Sequence, residues 1–281
     1  MQKTVMFASL CLASSLVWAE GELQEQASFP FTVVVAPSYK VTLELDKNNT
    51  VIATLPGWKE QKLFELEPLE GEEAERFPVA QVGDFNFDET QDIAIRDGIG
   101  YGGVNVFYRV FFGDANGGKL KEFSEPVSNP VLDAAKQTLT SAQRSGPAWY
   151  STVFRSVKGK LYPAMETQML PVGDSVVEYV IMKDAKGKVT GSKVVGEQQG
   201  DTATDYASAP AATATIQAEK AYLHDKPNST SKTKMYVIKG DTVTLLDWKA
   251  KQDGGLGDGW FLIRYQGKKV IEKWIDSSSL Q

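Results

Sequence analysis

The sequence predicts an all-β protein built as two β modules joined by a linker. The 281 residues include 24 glycines and 12 prolines. Many short runs of β-branched and aromatic residues favour strands over helices. Turn-forming residues separate these runs, and one stretch poor in large apolar residues divides the chain into two parts.

Each candidate strand is a short apolar or alternating run bounded by turn residues. Before the linker, the predicted strands are 31–35, 39–45, 51–55, 62–66, 93–95, 104–112, 153–157, 160–166, 176–182 and 188–195. After the linker, they are 218–223, 235–238, 242–246, 260–265 and 269–275. Residues 131–139 are predicted to form a short helix or an irregular segment. Four glycines within 97–103 predict an irregular loop.

Residues 1–19 have the pattern of a secretory signal. Lys3 supplies the positive charge, an apolar run follows it, and Val17-Trp18-Ala19 supplies small residues at the cleavage positions. The apolar run is too short to span a membrane. The sequence therefore predicts an exported protein that is periplasmic or secreted.

Charge and cysteine content narrow the range of partners. The formal net charge of −6 becomes −7 when Lys3 is removed with the signal. An acidic protein is a poor candidate for binding nucleic acid or an anionic membrane, so cations or basic proteins are the expected partners. The single cysteine, Cys11, lies in the signal, so the mature chain can form no disulfide.

The stretch 84–92 is the most specific motif. It predicts a structural Ca²⁺ loop leading into a strand, because hard cations prefer six to eight oxygen ligands. The candidate ligands are the side chains of Asp84, Asn86, Asp88 and Asp92 and the backbone carbonyl of Thr90. The alternative is an acidic surface loop, since Asp and Asn favour turns by bonding their own backbone.

This motif resembles the Asp-x-Asn-x-Asp-x-x-x-Asp loops of FG-GAP and VCBS-type β-repeats, in which the ion is structural. It differs from an EF-hand loop in two places. Glu89 stands at the position of the turn glycine, and Ile95 stands at the position of the bidentate glutamate.

Residues 196–215 are predicted to be a flexible linker, because they cannot bury enough apolar surface to order themselves. The five short strands after it suggest a small barrel. The Lys239-Gly240-Asp241 turn and the Gly259-Trp260 pair make residues 216–281 resemble a bacterial SH3 domain. That resemblance implies an SH3-like barrel that binds a cell-wall or protein ligand.

Residues 80–190 resemble a family of bacterial periplasmic proteins that includes a type IV secretion immunity protein, an inhibitor of a lysozyme-like effector. The matching segments are 82–88, 93–98, 101–103, 106–108 and the Ser145-Gly146 pair with Tyr150. The resemblance implies that residues 20–195 form an antiparallel sheet domain similar to a β-propeller fragment or to PliI-type lysozyme inhibitors.

The resemblance also implies a mechanism of inhibition. A muramidase cleft carries two carboxyl groups, one of them protonated. A protruding loop with a serine and a tyrosine hydroxyl can bond both, and a glycine allows close approach. The predicted contact residues are Ser145, Gly146 and Tyr150, and Tyr101 in the competing loop 98–103 is a further candidate. The alternative for Tyr150 is a core position at the start of a strand.

The residue inventory argues against an enzyme. His224 is the only histidine and is predicted to be a surface strand residue. The mature chain has no cysteine, so triad and histidine–zinc chemistry lack residues. A carboxylate-pair hydrolase is the enzymatic alternative, and nothing in the sequence singles out a pair.

Two functional hypotheses therefore stand. The first is an immunity protein that inserts a rim loop into the cleft of a lysozyme-type peptidoglycan hydrolase. The second is a non-catalytic envelope protein that binds peptidoglycan or a protein through the SH3-like module. The aromatic residues of that module either line a ligand groove or form its core. They are Tyr222, Tyr236, Trp248, Trp260 and Trp274.

Overall fold

The computed structural model describes residues 23–57, 60–67, 76–196, 206 and 208–280. The predicted signal, residues 1–19, lies outside this part of the chain. The described residues form 22 strands and three short 3₁₀ turns. None of their helices is long and apolar enough to cross a bilayer.

The strands in the first half of the chain are β1 (Gln24–Gln26), β2 (Phe31–Ala36), β3 (Tyr39–Leu45), β4 (Thr50–Thr54), β5 (Gln61–Glu65), β6 (Ala80–Gly83), β7 (Asp92–Gly100), β8 (Asn105–Phe112), β9 (Lys121–Glu122), β10 (Val127–Ser128), β11 (Val131–Asp133) and β12 (Thr138–Ser145). Those in the second half are β13 (Ala148–Val157), β14 (Lys160–Val172), β15 (Ser175–Lys183), β16 (Val189–Gly196), β17 (Thr213–Thr215), β18 (Lys220–His224), β19 (Lys232–Ile238), β20 (Thr242–Ala250), β21 (Gly259–Gln266) and β22 (Val270–Asp276). The 3₁₀ turns are Tyr101–Gly103, Ser229–Ser231 and Ser277–Leu280.

These strands form four antiparallel sheets, numbered here by position along the chain. Sheet 1 has the order β1-β6-β7-β8-β10, with β9 also paired to β8. Sheet 2 is β2-β3-β4-β5, and sheet 3 is the meander β11-β12-β13-β14-β15-β16. Sheet 4 has the order β17-β20-β21-β22-β18-β19.

Three hydrophobic cores hold the sheets together in series. Sheets 1 and 2 share a core to which β7 contributes Ile93 and Ile95. Ala94, between them, faces a second core that sheet 1 shares with sheet 3. A third core joins sheet 3 to sheet 4. The alternating side chains of β7 are therefore buried on both faces, as expected for a strand between two packed layers.

The predicted all-β class is confirmed. The sheets of the described residues are antiparallel and open, and none of them closes into a propeller or a barrel. In sheet 4 the two outermost strands, β17 and β19, are not paired with each other.

The irregular loop predicted at 97–103 is shorter in the structure. Strand β7 continues to Gly100, and only Tyr101–Gly103 leaves the sheet. A Cβ on Gly100 would lie 3.1 Å from the Phe107 ring, so glycine makes room there for an aromatic side chain on the neighbouring strand. Pairing with β6 and β8 overrides the low strand propensity of glycine.

The helix or irregular segment predicted at 131–139 was also wrong. This part of the chain contains β11, a turn and the start of β12, which pair with each other. The turn requires a positive φ of 50° at Gln137, and sequence periodicity does not show that reversal.

The predicted linker at 196–215 overlaps ordered structure. Residues 197–205 and 207 lie outside the described part of the chain, but Thr213–Thr215 is strand β17. Just before it, the Ala212 amide bonds the Val194 carbonyl of sheet 3, and the Ala212 carbonyl accepts from Leu245 of sheet 4. This segment therefore joins the two predicted modules instead of separating them.

Candidate functional site

The two loops that the sequence offered as alternative contacts for a hydrolase cleft lie side by side. One is the 3₁₀ turn Tyr101–Gly103, and the other is the turn between β12 and β13. The Tyr101 hydroxyl donates to the Gly146 carbonyl at 2.8 Å, and the Arg144 guanidinium lies 5.6 Å from the centroid of the Tyr101 ring. Residues 101–103 and 144–146 thus form one surface, which we call the rim.

Left-handed backbone shapes both halves of the rim. Tyr101 has φ 57°, Gly102 has φ 63° and Gly103 has φ 86°. Gly146 has φ 58° in the opposing turn. Glycine adopts this conformation freely, whereas a tyrosine there is strained, and such strain persists only where surrounding contacts fix it.

The side-chain amide of Asn105 holds the two halves together. Its Nδ2 donates to the Arg144 carbonyl at 2.9 Å, and its Oδ1 accepts from the Arg144 amide at 2.8 Å. Asn105 is 5% exposed, and its two bonds satisfy the Arg144 backbone as a neighbouring strand would. Asn129 acts in the same way, since its Nδ2 donates to the Val104 and Ala142 carbonyls.

The rim faces solvent. Tyr101 is 50% exposed, and Ser145 and Gly146 are exposed. A Cβ added to Gly102 or to Gly146 would meet no atom within 4 Å. The rim therefore presents a phenol ring, a serine hydroxyl and a guanidinium around two bare glycines.

Tyr150 does not join the rim. It lies within β13, opposite Gln143 and Gln168, and its hydroxyl accepts from the Gln168 Nε2 at 3.4 Å. With Trp248 it lines a separate cavity of about 310 Å³ on the side of sheet 3 that faces sheet 4. Of the four predicted contact residues, the structure brings together Ser145, Gly146 and Tyr101.

The predicted metal loop is ordered and lies between β6 and β7. Phe85 is fully buried and anchors the loop in the core between sheets 1 and 3. Glu89 has φ 70°, the left-handed conformation that glycine adopts in comparable turns. A glutamate therefore occupies the left-handed position of this turn.

Asp92 links this loop to the end of β8. It is completely buried. Its Oδ2 accepts from the Phe85 and Asn86 amides at 2.9 and 3.3 Å, and its Oδ1 accepts from the Gly113 amide at 2.9 Å. Burial nevertheless raises the pKa of this carboxyl well above its ordinary value, and the charges of Asp88 and Asp84 add to the rise.

The other candidate ligands also bond within the loop. Asp84 accepts from the Asp88 and Glu89 amides at 3.0 and 2.8 Å. Asp88 accepts from the Thr90 amide at 3.0 Å and from the Asn86 Nδ2 at 2.9 Å. Burial is the main cause of the raised pKa of Asp84, and the neighbouring Asp88 charge adds to it.

The fit of this loop to a cation is partial. Asn86 is 3% exposed, and its Oδ1 is a buried acceptor without a hydrogen-bond partner. An acceptor of this kind beside carboxylates suits a hard cation. In the described part of the chain, however, no three His, Cys, Asp or Glu side chains are arranged to hold a metal ion. The carboxylates are directed at main-chain amides, as in the alternative of an acidic turn.

Sequence reasoning missed Asn105, and it included Arg144 in the candidate loop 144–150 without assigning it a contact. Arg144 precedes the Ser145-Gly146 pair, so its position beside a predicted contact was a usable signal. Asn105 looked like an ordinary strand residue, and its partner lies 39 residues away. Local spacing carries no signal for that contact.

His224 is buried, which corrects its predicted surface position. It is 7% exposed, and its ring lies 4.7 Å from that of Trp260. The aromatic residues of the C-terminal module were predicted either to line a ligand groove or to form the core, and the structure divides them between buried and exposed positions. Trp248 and Trp260 are buried, Tyr222 and Trp274 are intermediate, and Tyr236 is 50% exposed.

Comparison with known proteins gives one weak similarity. No protein-family model and no curated protein matches the sequence. Among solved structures, a Xanthomonas type IV secretion system related protein is similar to this chain, with 15% identity and a TM-score of 0.39. The match covers 64% of this chain and 100% of that one. A similarity this weak carries no argument about function, which must come from the residues.

Proposed function

We propose that this protein is an exported inhibitor that blocks the cleft of a lysozyme-type peptidoglycan hydrolase with the rim. The observation that supports this most is the hydrogen bond from Tyr101 to Gly146. It combines two loops, each a candidate contact from the sequence, into one exposed and braced surface. The predicted secretory signal would deliver such an inhibitor to the periplasm, and the role requires no catalytic residue.

The chemistry of the rim matches that of a muramidase cleft. The cleft holds one carboxylic acid and one carboxylate. The Ser145 hydroxyl can donate to the carboxylate, and the Arg144 guanidinium can form a charge-assisted bond with it. Gly102 and Gly146 have no side chain to hold the cleft wall away from the rim.

The bracing of the rim reduces the entropic cost of binding. A loop that is disordered before binding loses conformational freedom when it enters a cleft. Asn105 fixes the Arg144 backbone, and Tyr101 fixes Gly146, in the free protein. Net charge adds steering towards a target, because an acidic inhibitor is attracted to a basic hydrolase.

Clearing of cell-wall suspensions by several lysozyme types tests this proposal. We expect the wild-type protein to slow clearing by at least one of them. Tyr101→Ala should weaken inhibition about tenfold or more, the scale of a tyrosine at the centre of an interface. Gly146→Asn should also weaken it, because asparagine tolerates the left-handed backbone but places a side chain in the contact.

The matched control is Gly187→Asn. Gly187 is exposed in another hairpin turn, has φ 77° and has the same free space around an added Cβ. That variant should inhibit like the wild type. Unslowed clearing with every lysozyme type, or equal inhibition by the Gly146 and Gly187 variants, would refute the proposal.

We also propose that loop 84–92 takes up Ca²⁺ as a structural ion. The support is the grouping of the Asp84, Asp88 and Asp92 carboxylates in one loop, with Asp92 fully buried, together with the unpartnered Asn86 Oδ1. Binding requires the Asp84 and Asp88 side chains to turn away from main-chain amides, because no three acidic groups converge in the described residues. The ion would stabilise the loop and have no role at the rim.

A further inference from the structure

A basic and aromatic surface covers the outer face of β18 and β19, in sheet 4 and independent of the rim. Tyr222 and Tyr236 are cross-strand partners there, with ring centroids 6.2 Å apart. Three exposed lysines lie on the same two strands: Lys220 on β18, and Lys232 and Lys234 on β19. We call these five residues the ribbon patch.

The ribbon patch has uncompensated positive charge on an acidic protein. Among the described residues, no carboxylate lies within ion-pair distance of Lys220, Lys232 or Lys234. The chain as a whole has a net charge of −6. Three unpaired lysines grouped on one short strand pair therefore attract an anionic partner against the overall charge of the molecule.

Lysine ammonium groups lie over both tyrosine rings. The Lys232 ammonium lies 3.5 Å from the Tyr222 centroid, and the Lys220 ammonium lies 3.9 Å from the Tyr236 centroid. Cation–π contacts of this kind hold the ammonium groups over the rings. They leave less ring face for a sugar or a nucleic-acid base to stack on, so the surface suits carboxylates better than either ligand.

Strand β19 is also an edge strand of sheet 4. Among the described strands it pairs with β18 alone. The Ile238 amide turns away from β18 and is capped by the Asp241 carboxylate at 2.9 Å. Because amides of an antiparallel strand point alternately to its two sides, the Tyr236 amide faces the same open edge.

The exposed side chains along this edge are suited to a partner strand. Met235, Tyr236 and Ile238 are 39%, 50% and 50% exposed. Native proteins usually protect such edges from pairing. Side chains on one face of a strand recur at about 7 Å, so acidic residues at alternate positions of an added strand would follow the line of lysines.

We propose that β19 binds an extended acidic peptide segment of a partner protein, which adds as a seventh strand to sheet 4. Backbone hydrogen bonds to the edge supply affinity. The carboxylates of the peptide pair with Lys220, Lys232 and Lys234, which selects an acidic segment over a neutral one.

The probe is a capped ten-residue peptide that alternates glutamate with valine, titrated into the full-length protein. NMR should show shifts concentrated in β18 and β19, and hydrogen exchange of the Tyr236 amide should slow in the complex. Lys232→Glu with Lys234→Glu should weaken binding about tenfold or more. The matched control, Lys268→Glu with Lys269→Glu, reverses two exposed lysines in the β21–β22 turn and should leave affinity unchanged.

A second pair of variants separates strand addition from charge attraction. Tyr236→Pro removes the outward amide, which an edge strand tolerates, and Tyr236→Ala keeps it. Strand addition predicts a larger loss for the proline variant. Equal losses, no peptide binding, or equal binding of polyphosphate or of phosphatidylglycerol vesicles without protection of the Tyr236 amide would each overturn the proposal.

Discussion

At the residue scale, the function proposed for the rim depends on Asn105, a buried side chain that would not itself contact the hydrolase. The side-chain amide of Asn105 donates to the Arg144 carbonyl and accepts from the Arg144 amide, as a neighbouring strand would. Nothing in the local sequence indicates this contact, because it joins residues 39 positions apart. The exposed residues of the rim were more predictable, since Ser-Gly and Tyr-Gly-Gly are recognisable turn sequences.

Asn105→Ala should therefore separate the two halves of the rim. It removes both side-chain partners of the part-buried Arg144 amide and carbonyl, at a cost of about 1–3 kcal/mol. Chemical denaturation should show that loss, and inhibition of clearing should weaken with it. Asn116→Ala is the matched control, because Asn116 is exposed and bonds only Asp114 in its own turn. Unchanged inhibition by Asn105→Ala would show that bracing is irrelevant.

At the element scale, loop 84–92 shows how far a motif predicts structure. The sequence predicted a loop leading into a strand, and β7 follows the loop as expected. The buried Phe85 anchors the loop in the core. The predicted convergence of ligands depended on side-chain direction, which spacing does not determine. The contact between this loop and the β13–β14 turn, where Gly159 packs on Asp88, was equally invisible because it is non-local.

Treatment with a chelator tests the proposed Ca²⁺ site in loop 84–92. A chelator should lower the melting temperature of the wild-type protein, and added Ca²⁺ should restore it, because binding to the folded state alone stabilises that state. Asp88→Asn removes one candidate carboxylate ligand and should reduce the response to Ca²⁺. An unchanged melting curve with chelator would leave the loop as an acidic turn held by main-chain bonds.

At the scale of the whole molecule, strand positions were predictable and the stacking of the sheets was not. Alternation indicates which face of a strand is buried, but it does not identify the sheet that covers it. The SH3-like pattern suggested an independent unit at 216–281. Instead, Leu170 and Val177 of sheet 3 share a core with Leu223 and Phe261 of sheet 4.

This shared core predicts that the C-terminal module does not melt by itself. Calorimetry of the full-length protein should show sheets 3 and 4 unfolding together in one transition, with no earlier transition of the size of a 60-residue domain. A protein truncated after residue 195 should be destabilised, because Leu170, Val177 and Tyr179 would lose their cover. Two well-separated transitions, or a truncated protein with wild-type stability, would contradict the shared core.

The proposed function places the rim in the sugar cleft of a peptidoglycan hydrolase. Competition measured by titration calorimetry tests it most directly, using a lysozyme that the protein inhibits and a chitin trisaccharide that fills the cleft. We expect saturating trisaccharide to abolish binding of the protein to the lysozyme, and Gly187→Asn to compete like the wild type. Undiminished binding to the lysozyme with its cleft filled would contradict it.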